Sequence, residues 1–230
     1  MSAPGSVSAP VVIGLVCEGE SDAIVLQAVL DQVFGVEGYR LRPLRLGHGR
    51  HGPVGGKSAV QRWCERHGPE IGVSLLRDCQ LLIVHLDADA RKALKIATTK
   101  ELCEVIQGWL GLDRRRREDR RTMSPRLIIV IPKEATDTWL LATLGSANPQ
   151  LESAEGPRAR LVAAGELPPS DAPWSVRRER YAQLSARLAA QLPQLGEVLF
   201  ELRHFLEKLS RFRAGPSPAR APEAAAGRRG

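Results

Sequence analysis

The sequence predicts an α/β fold built on a parallel sheet. Short runs of branched apolar residues recur along the chain, at residues 11–17, 81–86 and 126–132. Runs without polar positions are typical of strands buried on both faces of a sheet. Helical segments separate these runs, and strands that alternate with helices pair in parallel. The 230 residues, 43% of them hydrophobic, suit one medium domain or a compact domain with an appendage.

The first half of the chain contains two predicted strands and two predicted helices. Ser21 is the expected N-cap of the first helix, and Gly35 ends it. Pro43 lies inside the second strand, so this strand is expected at an edge of the sheet. The predicted elements are a strand at 11–17, a helix at 23–34, an edge strand at 39–46, a glycine-rich loop at 47–58, and a helix at about 58–67.

The second half continues the alternation and then changes in composition after Gly145. Its predicted elements are a strand at 81–86, a helix at 99–110, an arginine-rich loop at 114–121, a strand at 126–132, and a helix from 133 to about 144. Residues 175–213 have helical periodicity, with a break expected near Pro193 because proline interrupts a helix. We therefore expect an α/β domain at 11–145, a loop and helical extension at 146–213 that packs on it, and a disordered basic tail at 214–230.

The net charge of +7 is concentrated in two segments. Residues 114–121 hold six arginines against two acids, and most of the remaining excess lies in the tail. Scarce aromatic residues, 4% of the chain, argue against a stacking platform for single-stranded nucleic acid. The four cysteines form no CxxC pair, which favours reduced thiols, and no segment resembles a signal peptide or membrane span. We expect a cytoplasmic protein without membrane contact.

Acidic residues follow three of the predicted strands. Parallel strands bring their carboxyl ends to one edge of the sheet, so these side chains are expected to converge. The candidate ligands are Glu18 and Asp22 after the first strand, Asp87 and Asp89 after the central strand, and Glu134 and Asp137 after the last. Any single acid, such as Asp22 or Asp137, is also explained by the preference of helix N-termini for negative charge. Three acidic strand ends together favour a Mg²⁺ or Mn²⁺ site over independent helix caps.

Several basic residues have two interpretations each. Lys133 can stabilise a developing oxyanion beside the acids, or it can pair with its neighbour at the surface. His85 shares a face with Asp87, and an interior histidine satisfied by its neighbours is favoured over one that orients this acid. The segment containing Lys57 falls short of a phosphate-binding P-loop, because His51 stands where the first glycine is needed. The candidate nucleic-acid contacts are Lys57, Arg114, Arg115, Arg116 and Arg117, and solvated loops are the alternative for all of them.

Three segments together resemble the Toprim domain of topoisomerases, bacterial primases and OLD-family nucleases. Glu18-Gly19-Glu20-Ser21-Asp22 is similar to its first acidic element, with a second acid four residues on as in OLD-type proteins. Asp87-Ala88-Asp89 resembles its DxD motif. The segment from Glu134 to Ala142, with Glu134 or Asp137 as its acid, is similar to the acid-x-Trp-Leu-Leu-Ala element of small bacterial Toprim-like proteins of uncharacterised or phage-defence type. The resemblance covers about residues 11–144.

The resemblance implies a Rossmann-like sheet and Mg²⁺-dependent chemistry on phosphodiester bonds of nucleic acid. Glu18 would be a ligand or general base, Asp87 and Asp89 metal ligands, and Asp22 with Asp137 or Glu134 the ligands of a second ion. The only two tyrosines, Tyr39 and Tyr181, lack a topoisomerase-like context, which leaves hydrolysis. A nuclease effector of bacterial defence, working with a separate ATPase, is the expectation. The alternatives are a non-catalytic Toprim-like interaction protein and a nucleotide phosphohydrolase.

Overall fold

The computed structural model describes eight ranges of the chain. These are residues 10–44, 48–49, 52–53, 56–71, 78–113, 123–145, 148–153 and 156–215. The arginine-rich loop with Arg114 to Arg117, the end of the predicted edge strand at 45–46, and most of the basic tail lie outside the described residues.

The centre of the fold is a four-stranded sheet in which every pair of neighbours is parallel. Its strand order is β2-β1-β5-β6, where the strands are β1 (Val11–Val16), β2 (Tyr39–Pro43), β5 (Leu81–His85) and β6 (Leu127–Val130). Two short segments, β3 (His48–Gly49) and β4 (Gly52–Pro53), pair separately and antiparallel. The Rossmann-like α/β prediction is confirmed, and β2 is an edge strand as Pro43 indicated.

Eight α-helices connect and cover the strands in the described part of the chain. They are α1 (Glu20–Phe34), α2 (Lys57–His67), α3 (Ala90–Leu94), α4 (Thr99–Trp109), α5 (Asp137–Ala142), α6 (Pro157–Ala163), α7 (Trp174–Val198) and α8 (Phe200–Arg213). None of these helices is both long enough and apolar enough to cross a membrane.

The first helix begins three residues earlier than predicted, and Ser21 is not its N-cap. Gly19 occupies that position with extended backbone angles. The carboxylate of Asp22 accepts a hydrogen bond of 2.9 Å from the Gly19 N–H, and the Ala23 N–H bonds to the Gly19 carbonyl. The acid three residues into the helix therefore determines where the helix starts.

Two other helix boundaries differ from the sequence prediction. The helix expected from residue 133 starts only at Asp137, because the Pro132 and Glu134 carbonyls still accept hydrogen bonds from Ala88 and Asp89 beside the sheet. The break expected near Pro193 is absent, since α7 continues to Val198. The chain leaves helical geometry at Leu199, whose ψ is 113°.

The sheet has an apolar core on each face, as the twofold alternation of strand side chains requires. One core contains residues of α1, α5, α7 and α8, and the other contains residues of α2 and α4. The strand residues in the first are Ile13, Leu15, Leu81, Ile83, Ile128 and Val130, and those in the second include Val16, Leu82, Val84 and Ile129. The polar ends of the strands are therefore the place where charged groups can gather.

The C-terminal helices share the first of these two cores. Helix α7 packs along α1, and α8 packs on both α7 and β6. The ring of Phe205 stacks on that of Trp139 with 6.2 Å between centroids. Lys208 of α8 donates a hydrogen bond of 3.3 Å to the Ile129 carbonyl of the edge strand β6. The extension thus lies against the sheet, while the division of the chain at residue 145 stays a prediction.

Candidate metal centre

Two neighbouring strands place acidic groups side by side at their carboxyl ends. Glu18 lies two residues after β1, and Asp87 lies two residues after β5. The Glu18 carboxylate accepts a hydrogen bond of 2.8 Å from the Asp87 N–H. This bond joins the two strand ends and fixes the Glu18 side chain over the edge of the sheet.

Glu18, Asp87 and Asp89 form the outer group of the site. One carboxylate oxygen from each of them lies within 4.8 Å of the others. Glu18 and Asp87 are partly buried and Asp89 is exposed, so the group opens to solvent on one side. Three carboxylates at this separation are a donor set that suits a hard divalent cation.

Asp22, His85 and Asp87 form a second, inner group with the same spacing, and Asp87 belongs to both groups. The Asp22 carboxylate accepts hydrogen bonds from the Thr136 hydroxyl at 2.7 Å and from the Gly19 N–H. His85 is fully buried, and its Nε2 lies 3.1 Å from Asp87 Oδ1. Within the described residues, neither ring nitrogen has a partner with the geometry of a hydrogen bond. A buried imidazole without such a partner, next to two acids, is a second sign that this edge accommodates a cation.

The pKa values of these groups reflect crowded negative charge. Burial, reinforced by the charge of Asp87, raises the pKa of Glu18 from 4.5 to about 7. Burial and Asp87 also raise the pKa values of Asp22 and Asp89. For His85, burial lowers the pKa, but the charge of Asp22 and the adjacent Asp87 outweigh it and raise the pKa to about 9. Without a bound cation, these acids therefore favour the protonated form of His85.

The two acids of the third strand end behave differently. The Asp137 carboxylate is buried, accepts a hydrogen bond of 3.3 Å from the Tyr181 hydroxyl, and has its pKa raised to about 6 by burial. The charges of Asp22 and Asp87 contribute to this raised pKa, which places Asp137 near the inner group. Glu134 instead lies 4.0 Å from the guanidinium of Arg91. Asp137 belongs to neither of the two groups with 4.8 Å spacing, but of the two acids it is the one whose pKa responds to Asp22 and Asp87.

Of the basic candidates that the structure describes, Lys57 adjoins the carboxylate site and Lys133 lies towards another helix. Lys133 is exposed. Burial raises the pKa values of Glu152 and of Glu201 in α8, and the charge of Lys133 offsets part of this rise. Lys57 is the first residue of α2, and the Gly56 N–H before it donates a hydrogen bond of 2.9 Å to the Glu18 carbonyl. The start of α2 therefore adjoins the site, whereas Lys133 lies towards α8.

Sequence reasoning missed two residues that contact the acids and a third that supports one of them. Thr136 bridges two strand ends, because its hydroxyl bonds to Asp22 and its N–H bonds to Asp87 Oδ1 at 3.3 Å. Tyr181 reaches Asp137 across 44 residues of sequence, and Arg158 bonds to Tyr181. No sequence pattern links these positions, since tertiary packing brings them together.

The arrangement can bind a divalent cation with oxygen ligands at the outer group. A cation at the inner group would have to displace the proton of His85 first, because only the neutral imidazole is a metal ligand. No protein-family model matches the chain, and neither a curated protein nor a solved structure shows significant similarity to it. The chemistry of the site therefore has to be inferred from its own geometry.

Proposed function

We propose that this protein is a nuclease that hydrolyses phosphodiester bonds of DNA or RNA with Mg²⁺ or Mn²⁺. The observation that carries the proposal is the convergence of Glu18, Asp87 and Asp89 within 4.8 Å at the open edge of the sheet. Hard oxygen donors favour these two ions over softer metals. The resemblance of the acidic motifs to Toprim proteins supports the same reaction.

The bound cation would lower the pKa of a water molecule and neutralise charge on the phosphate. Asp87 and Asp89 would hold it together with Glu18, or Glu18 would instead be the general base, because its pKa of about 7 in the metal-free protein lies near physiological pH. The His85 ring keeps Asp87 Oδ1 in place from inside the protein. Thr136 keeps Asp22 and Asp87 in register with the third strand.

Two features support a polymeric, negatively charged substrate. The chain carries a net charge of +7. Lys57 begins a helix whose N-terminal end adjoins Glu18, and the N-terminal end of a helix attracts phosphate groups. We include Lys57 and the arginines of residues 114–117 as candidate contacts to the phosphate backbone, and Lys133 as the candidate that stabilises a developing oxyanion. A role in bacterial defence together with a separate ATPase follows from the resemblance to OLD-type systems.

The test is cleavage by the purified full-length chain after removal and controlled replacement of metal. Supercoiled plasmid and tRNA are incubated with Mn²⁺ or Mg²⁺, and products are separated by electrophoresis. We expect cleavage by the wild type and a loss of more than about 100-fold in Asp87→Asn, since a direct ligand should exceed the effect of a residue that only supports one.

Asp31→Asn is the matched control, because Asp31 is also hydrogen-bonded inside the fold but pairs with Tyr39 instead of another acid. It should cut at the wild-type rate. Hydrolysis of small nucleotides without cleavage of polymers would identify a phosphohydrolase instead. A wild type that binds no divalent ion and cuts nothing would favour an interaction protein.

A further inference from the structure

The C-terminal extension reaches the metal centre through one chain of hydrogen bonds. Tyr181 of α7 donates its hydroxyl to Asp137 Oδ2 at 3.3 Å. The same hydroxyl oxygen accepts a hydrogen bond of 3.2 Å from Arg158 Nη1 of α6. The Tyr181 hydroxyl therefore acts as donor and acceptor at the same time. This neutral group links the guanidinium of Arg158 to the carboxylate of Asp137.

Asp137 lies between this chain and the acids of the strand ends. Only 8% of the residue is exposed, and Tyr181 is 1% exposed. Burial raises the pKa of Asp137, the charges of Asp22 and Asp87 act in the same direction, and the charge of Arg158 opposes them. The preceding residue, Thr136, bonds through its hydroxyl to Asp22 and through its N–H to Asp87 Oδ1, so the chain places Asp137 next to the inner group. The Tyr181 hydroxyl holds the Asp137 carboxylate there through Oδ2.

Glu134, the competing acid of this strand end, is directed elsewhere. Arg91 holds it at 4.0 Å, and the same arginine donates hydrogen bonds to the carbonyls of Ala88 and Ala97. These contacts tie Glu134 to the loop that follows the DxD motif. Asp137 is consequently the acid of the third strand that is placed to complete the centre.

We propose that Tyr181 and Arg158 are positioning residues that hold Asp137 as a further ligand of the metal centre. The inference rests on the metal centre of the proposed nuclease and adds a role for the C-terminal extension, without which the centre lacks one oriented ligand. Groups that orient a metal ligand typically change metal affinity by about 10–100-fold when they are removed.

The experiment measures Mn²⁺ affinity of the full-length protein by titration calorimetry, with electron paramagnetic resonance of the bound ion as a second readout. We expect Tyr181→Phe, which keeps the ring and removes the hydroxyl, to weaken binding by about 10-fold or more. Arg158→Lys, which keeps the charge without the planar guanidinium, should weaken it less than Arg158→Ala.

Tyr39→Phe is a closely matched control. Tyr39 is likewise buried, at 6% exposure, and donates its hydroxyl to Asp31 at 2.6 Å. Tyr39→Phe therefore removes the same kind of hydrogen bond at a position outside the metal centre, and Mn²⁺ affinity should not change. Thermal unfolding of the metal-free variants shows that both remain folded.

A double-mutant cycle separates positioning from a structural role. If Tyr181 acts through Asp137, Tyr181→Phe has no further effect on Mn²⁺ affinity in an Asp137→Asn background. Wild-type affinity in Tyr181→Phe or in Asp137→Asn, or additive losses in the cycle, would overturn the inference and leave the nuclease proposal standing. Mn²⁺ binding with the expected cycle but without cleavage would instead reject the nuclease proposal alone. A wild type without Mn²⁺ binding would reject both.

Discussion

The two tyrosines of this protein form similar hydrogen bonds in very different surroundings. Tyr39 and Tyr181 are both buried, and each donates its hydroxyl to an aspartate. Burial and then Asp31, its own partner, raise the pKa of Tyr39, and no second acid of the described residues contributes. Asp137, the partner of Tyr181, lies among further acids whose charges raise its own pKa.

The Tyr39–Asp31 pair and the strand-end acids show two kinds of buried charge. The first kind stabilises the fold, and the second serves a function. A single carboxylate with a hydroxyl donor is satisfied and stabilises the fold by about 1 kcal/mol. Several carboxylates at one edge repel one another, and His85 compensates only part of their charge. Groups of acids that destabilise the fold are typical of sites that bind a ligand. Three measurements test this comparison.

The largest expected effect is stabilisation of the fold by a divalent ion. At a Mn²⁺ concentration of 100 times the dissociation constant, the free energy of unfolding should rise by about 2.7 kcal/mol. Urea denaturation with and without Mn²⁺ measures this increment. Asp31→Asn should show the same increment from a lower starting stability, and Asp87→Asn should show none. An equal increment in Asp87→Asn would mean that the ion binds elsewhere.

The next effect concerns Glu18, whose pKa is about 7 in the folded protein against an ordinary 4.5. The folded state then binds a proton more tightly than the unfolded state, so stability falls as pH rises from about 4.5 to 7. Glu18→Gln removes this dependence and keeps an oxygen for the Asp87 N–H. Without metal, the variant should match the wild type near pH 4 and exceed its stability at pH 8 by about 1–2 kcal/mol, after allowance for solvent screening.

Asp31→Asn should have the opposite sign in the same denaturation series. This substitution weakens the hydrogen bond from Tyr39 and removes no repulsion between neighbouring carboxylates. It should therefore lower the free energy of unfolding by about 1 kcal/mol at pH 8. A stabilising Asp31→Asn, or a destabilising Glu18→Gln at pH 8, would remove the distinction between the two regions.

The smallest effect is expected at Glu134. Because this acid faces Arg91 at 4.0 Å, Glu134→Gln should change Mn²⁺ affinity by less than about threefold, the scale of a weak ion pair. Asp137→Asn is the comparison variant and should weaken affinity more. Calorimetric titration of both proteins decides which acid of the third strand end belongs to the centre, and a reversed order would exclude Asp137.

The sequence predicted the parallel sheet and the convergence of Glu18 with Asp87 and Asp89. Both depend on local patterns, namely apolar runs for the strands and the acids that immediately follow them. Adjacent parallel strands that end at one edge leave little freedom in where such acids lie. Helix boundaries were less predictable, as Pro193 shows, because α7 packs along α1 over its length and continues through the proline.

Only the tertiary structure decided which of the third-strand acids turns towards the centre and what holds it there. Side-chain direction depends on contacts such as Arg91 with Glu134 and Tyr181 with Asp137, and the latter pair is separated by 44 residues. The raised pKa of His85 likewise arises from acids at the end of its own strand and at the end of β1. The sequence by itself determined that acids meet at this edge, whereas the packing of α6 and α7 decided how Asp137 is held there, because long-range contacts leave no local pattern.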